Sequence, residues 1–132
     1  MEQHDNVGRM RDALEMFNHG DLDAYREYFD DDVVWFVRGT HDMAGTYRGI
    51  DALFDYFVRA RQVTGGSLRV EPIEIVAGDR HAGVVARVRA SRADGRTLDI
   101  EMTEAFTFTE DGRVKEFWAL AAEQPVVDAF WE

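Results

Sequence analysis

The order of patterns along the chain predicts an α+β fold, with helical periodicity in the first half and alternating strand patterns in the second. Near the start, Val7, Met10, Leu14 and Phe17 recur at spacings of three and four, the stripe of an amphipathic helix. From Leu68 onward, apolar and polar residues alternate through runs separated by Gly78-Asp79, Asp94-Gly95 and Asp111-Gly112, the pattern of an antiparallel meander. The chain has 132 residues, an ordinary length for one core, so residues 1–132 are expected to form a single domain with the helices on one face of a curved sheet.

Gly20 can end the first helix in the left-handed conformation, and Asp21 follows as an N-cap. Leu22, Tyr25 and Phe29 then form the stripe of a shorter second helix, which is expected to end in the solvated cluster Asp30-Asp31-Asp32. Val33 to Val37 is β-branched and aromatic on both faces and reads as a strand covered on both sides. A loop from Arg38 to Arg48 precedes a third helix, marked by Ile50, Leu53, Phe54, Phe57 and Val58 and ended by Gly65-Gly66. The meander strands are expected at Leu68 to Val76, Ala82 to Ala90, Leu98 to Phe108 and Val114 to Leu120, and Pro125 opens a last helical turn.

Charge and composition exclude several classes of function. Fifteen Lys and Arg against 26 Asp and Glu give a net charge of −11, which repels nucleic-acid phosphates and anionic membrane surfaces. The longest apolar runs, Val33 to Val37 and Phe117 to Ala122, fall far short of the roughly 20 residues of a membrane helix. With no cysteine, and with His4, His19, His41 and His81 in no metal-binding spacing, neither a disulfide framework nor a metal site is expected, and no cofactor is implied. The first residues carry no leader pattern, so the expected location is cytoplasmic.

Register can be read from the alternation. A three-residue Ala93-Asp94-Gly95 loop sets Val88 opposite Ile100, Arg89 opposite Asp99 and Arg87 opposite Glu101, matching apolar with apolar on one face and opposite charges on the other. The apolar face of the third meander strand is then Leu98, Ile100, Met102, Phe106 and Phe108, interrupted by Glu104 alone. A carboxylate there needs a partner, water or a function, because an unpaired buried charge costs several kcal/mol or takes up a proton. Glu104 is therefore either a satisfied core residue or a pocket acid of raised pKa that can donate to a ligand oxygen or move a proton.

Several motifs, in this order, resemble the NTF2-like superfamily and within it the SnoaL-like and ketosteroid-isomerase-like branch. They are Asn18-His19-Gly20-Asp21-Leu22-Asp23, Phe29-Asp30-Asp31-Asp32, Gly45-Thr46-Tyr47-Arg48-Gly49 and Phe108 to Val114. The resemblance spans nearly the whole chain. It implies a cone, a strongly bent sheet wrapped round three helices and open into an apolar pocket, in a homodimer packed through the outer sheet face. Carried over without gaps, the protonated acid of the ketosteroid isomerases falls on Glu104, their base on Val37 and their tyrosine on Ala13, so that steroid mechanism is not expected. The water-activating Asp-Arg-Asp set of the limonene-epoxide hydrolases finds no match, whereas the histidine and tyrosine of the scytalone dehydratases have analogues in His41 and Tyr47.

The expected site thus places Glu104 and His41 as proton carriers among Trp35, Val37, Tyr47, Phe57, Met102 and Phe106. The last strand adds Phe117 or Trp118: a three-residue Glu110-Asp111-Gly112 loop turns Trp118 inward, and a two-residue turn faces Phe117 there. The expected ligand is a small, largely apolar carbonyl compound. Isomerase, cyclase or dehydratase chemistry, plain ligand binding and a dimerisation module remain the competing functions.

Overall fold

The structure, a computed structural model, describes residues 5–132; Met1–His4, and with them the start read for a leader and His4, lie outside the described residues. Asp5 caps α1 (Asn6–His19) through a hydrogen bond from the Gly8 N–H, and Gly20, at φ 79°, closes it by donating to the Met16 and Phe17 carbonyls. Asn18 then ties the helix to the sheet, donating to the Val70 carbonyl at 2.9 Å and accepting from the Val70 N–H at 2.8 Å. Asp21 caps α2 (Leu22–Arg26).

The second helix ends sooner than expected. Phe29 and the three aspartates belong to β1 (Phe29–Val37), because Phe29 pairs in parallel with Val114 and the Tyr28 carbonyl accepts from the Val114 N–H. The register shifts between Phe29 and Val34, where Asp31 and Asp32 stand exposed, so the acidic run sits on an irregular strand segment. The expected loop also contains a strand: β2 (Gly45–Arg48) pairs antiparallel with β1, Trp35 facing Tyr47. In α3 (Ile50–Val63) the buried stripe is Leu53, Phe54, Phe57 and Ala60, while Val58 is exposed.

Four antiparallel strands follow, β3 (Arg69–Ala77), β4 (His81–Ser91), β5 (Thr97–Phe108) and β6 (Val114–Ala121), and α4 (Gln124–Trp131) packs after them. They form one sheet in the order β2-β1-β6-β5-β4-β3, curved as expected for the NTF2-like cone. Between β4 and β5 the register is Val88 to Ile100, Arg89 to Asp99 and Arg87 to Glu101, as the alternation requires. The charges sort one step differently: Arg87 donates to Asp99 at 2.6 Å rather than to Glu101, and Arg89 spans Asp99 and Glu71.

A bulge decides the last strand. Phe106 pairs with Phe117, but Phe108 pairs with Val114, so Lys115 is an extra residue in β6. Because side chains alternate with period two, one inserted residue swaps the faces. Val114 and Phe117 both point into the core, and Trp118 is 38 % exposed on the outer face, stacked on Phe36.

Candidate functional site

The buried side chains of the helices and of the inner sheet face form one aromatic-rich cluster, and within it lies a cavity of about 120 Å³. β1 contributes Trp35 and Val37, α3 contributes Tyr56 and Phe57, β5 contributes Met102 and Glu104, and β6 contributes Phe117 and Ala119. Tyr25 reaches it from α2. Where solvent approaches, the lining is Arg38, Gln124 and Trp131, exposed or half-buried. The aromatic wall is tightly built: Trp35 stacks on Phe117 with centroids 3.6 Å apart, and Phe57 meets the Trp35 ring edge-on at 5.3 Å.

Glu104 is the sole carboxylate of this lining. It sits in mid-strand between Val84 and Ala119 and is 8 % exposed. Its Oε1 has no hydrogen-bond partner among the described residues, so the satisfied-core alternative fails for this oxygen. Burial, with no cation to offset it, pushes the carboxyl up to about 7. Glu104 therefore exchanges its proton close to neutrality.

Two residues absent from the expected site complete it. Tyr25 of α2 and Tyr56 of α3 line the same cavity as Glu104. Burial raises both phenols first, and the charge of Glu104 adds to the rise in each. The three acids are thus close enough to feel one another, and at neutral pH the phenols are donors. Tyr25 already lay on the helical stripe of Leu22, and Tyr56 lies three residues after Leu53 and four before Ala60. That spacing hinted at a half-inward Tyr56, but only the tertiary packing puts both tyrosines on the cavity that Glu104 lines.

Of the other expected residues, His41 lines the cavity, whereas Tyr47, Phe106 and Trp118 do not. The His41 Nδ1 accepts from the Met43 N–H at 3.1 Å, which assigns the proton of the neutral ring to Nε2, 3.2 Å from the Arg38 carbonyl. Burial lowers its pKa, against the opposing pull of Asp128. With both nitrogens within hydrogen-bond reach of backbone groups, His41 organises the loop after β1 at the edge of the cavity it lines. Tyr47 donates to the Met43 carbonyl at 2.7 Å and packs on Tyr56 at 4.6 Å, behind the lining. Phe106 buttresses Trp35 and Phe117 from beneath, and Trp118 is on the far side of the sheet. Among the described residues, no cluster of three His, Cys, Asp or Glu could hold a metal, and no helix is long and apolar enough to cross a membrane.

The family model for the SnoaL-like domain matches residues 10–117, which takes in every element from most of α1 to β6. The chain belongs to the SnoaL-like family. A relative, an uncharacterised protein of Mycobacterium tuberculosis, is 31% identical over 124 residues, 92% of each chain. Among solved structures, Bal32a from a soil-derived mobile gene cassette superposes with a TM-score of 0.90 at 28% identity over 96% of each chain. SalBIII, an epoxide hydrolase/cyclase-like enzyme in pyran ring formation in polyether salinomycin, gives a TM-score of 0.75 at 18% identity, covering 93% of this chain and 92% of its own. At that identity the likeness is one of fold.

Proposed function

We propose that this SnoaL-like protein binds a small, largely apolar carbonyl compound in the cavity and transfers a proton with Glu104. The observation that carries this reading is an unpartnered Glu104 oxygen in an aromatic cavity that Tyr25 and Tyr56 also line. Such a carboxyl, ionised in part near pH 7, takes the proton from the carbon next to the carbonyl. The C–H electron pair moves into the new C=C bond and the carbonyl electrons onto oxygen, where Tyr25 and Tyr56 donate hydrogen bonds. Return of the proton from Glu104 to another carbon completes an isomerisation, and its delivery to a leaving hydroxyl completes a dehydration. The part of SalBIII in pyran ring formation is consistent with a cyclic, oxygen-bearing ligand, and the volume suits a single ring.

The test is hydrogen–deuterium exchange at the α-carbons of one-ring ketones in D₂O, followed by NMR. The protein should accelerate exchange, Glu104→Gln should abolish the acceleration, and equal exchange in both proteins refutes the reading. A binding role without chemistry is favoured by Val37, since the lining holds no second carboxylate; ketones that bind and show no accelerated exchange would establish it. The same reading includes a homodimer through the outer sheet face, where Trp118 and Leu120 stand exposed. Sedimentation should then give dimers for the wild type and monomers for Leu120→Glu.

A further inference from the structure

Gln124, Val127 and Trp131 of α4 line the cavity together with Arg38 and His41 of the loop after β1, and the solvent-reached part of the lining, Arg38, Gln124 and Trp131, belongs to this helix and that loop. Polar ties fasten the helix at both ends. Asp128 Oδ1 accepts from the Thr40 N–H at 3.1 Å and from Gln124 Nε2 at 3.1 Å, and Gln124 Nε2 also reaches the Arg38 carbonyl at 3.2 Å. The fit is close: a Cβ at Gly39 would lie 2.1 Å from Asp128 Oδ1. At its other end, Arg92 donates to the Phe130 carbonyl at 2.7 Å and to that of Glu132 at 2.9 Å, and Arg96 donates to the Ala129 carbonyl at 3.1 Å. These guanidinium groups satisfy C-terminal carbonyls and stand favourably to the helix dipole.

The apolar grip beneath α4 is small. Its buried residues are Val127 and Phe130, while Pro125, Val126 and Ala129 are exposed. A helix held by few buried side chains and by polar ties at its edges belongs to the parts of a protein that open locally at low cost. We infer that α4 is a latched cover: it lifts away from the loop after β1 to admit ligand, and the ties of Asp128, Arg92 and Arg96 hold it closed. This rests on the cavity being the ligand site, and it assigns Asp128, Arg92 and Arg96 a function in the rate of access rather than in affinity. Weakening a tie weakens the closed state of the empty and the occupied protein alike, so association and dissociation accelerate together and Kd stays put.

The experiment compares the wild type, Asp128→Ala and the double variant Arg92→Ala/Arg96→Ala in two ways. Amide hydrogen exchange reads the opening without any ligand: protected amides in residues 124–131 should exchange about tenfold faster in each variant, the scale of one lost hydrogen bond, with β5 amides unchanged. Stopped-flow absorbance with 4-nitrophenol, a one-ring compound with an ionisable oxygen, should show both rate constants raised by a similar factor. If α4 exchanges only with global unfolding in all three proteins, or if the variants change Kd and leave the association rate alone, the cover is refuted. If 4-nitrophenol and one-ring ketones fail to bind the wild type, it is the cavity reading that falls, and the exchange data alone decide whether α4 opens.

Discussion

The burial of Glu104 has a thermodynamic signature that needs no ligand. Its carboxyl titrates near 7 in the folded protein against 4.5 for an unburied glutamate, so the folded state holds the proton over a range in which the unfolded chain has lost it. Below pH 4.5 both states are protonated, and the full stability is present. As pH rises, the unfolded chain ionises first, and stability is lost progressively until the folded carboxyl also ionises, above about pH 7. The whole difference is about 3 kcal/mol at 1.36 kcal/mol per pH unit, of which about 2 to 3 kcal/mol falls between pH 5 and pH 8. Glu104→Gln removes the titration while keeping the shape. Urea denaturation of both proteins at pH 5 and pH 8 isolates the effect as a double difference, because every other titrating group is common to both. Wild type should lose about 2 to 3 kcal/mol more than the variant over this interval. A double difference within about 0.5 kcal/mol of zero, or one of opposite sign, would mean that water or a partner stabilises the ionised carboxylate, and the pocket-acid reasoning would fail.

Three further outcomes follow from the same geometry. Glu104→Leu removes a buried acid that lacks a partner for one oxygen and should raise stability at pH 8 by about 1 kcal/mol or more while abolishing proton exchange; a lowered Tm would count against strain retained for function. Phe117→Ala, which takes away a stacked core ring, should cost about 3 to 5 kcal/mol in urea denaturation, whereas Trp118→Ala on the outer face should cost the folded monomer about 1 kcal/mol or less; the reverse order would contradict the bulge at Lys115. His41 is held neutral by burial, so its contribution is present above pH 6.5 and lost as pH falls below it, when the unfolded chain takes up a proton first. His41→Gln should therefore flatten the stability loss between pH 7 and pH 5, and an unchanged slope would show that the ring is protonated within the fold.

Much of the fold was legible in the residues because its signals are local. The capped and Gly-terminated α1, the stripe of α3 and the parity of β4 against β5 each depend on neighbours within a few positions or on one short turn. The parity argument also places Glu104 on the inner face, since a single charged residue on an apolar strand face stands out by itself. Where the reading missed, the deciding partner was distant. The strand began at Phe29 because the start of β6, far along the chain, pairs with Phe29 and again from Val34, with the aspartates in the irregular stretch between. Residues 45–48 became β2 because β1 offered an open edge on that side.

The site divides the same way. Sequence alone determined an apolar inner face with one carboxyl in it and an acidic exterior, since these follow from residue type and from the two-residue repeat of a strand. Only the tertiary structure decided what that carboxyl meets. One extra residue at Lys115 turned Phe117 inward and Trp118 outward, a choice that no local pattern makes. The packing of the helices on the sheet put Tyr25 and Tyr56 on the cavity that Glu104 lines, and the return of α4 over the loop after β1 engaged that loop's backbone, while His41 took up the Arg38 carbonyl and the Met43 N–H within the loop itself. The physical reason is that a side chain's face is set by its own strand or helix, whereas its partners are set by contacts between elements far apart in the chain.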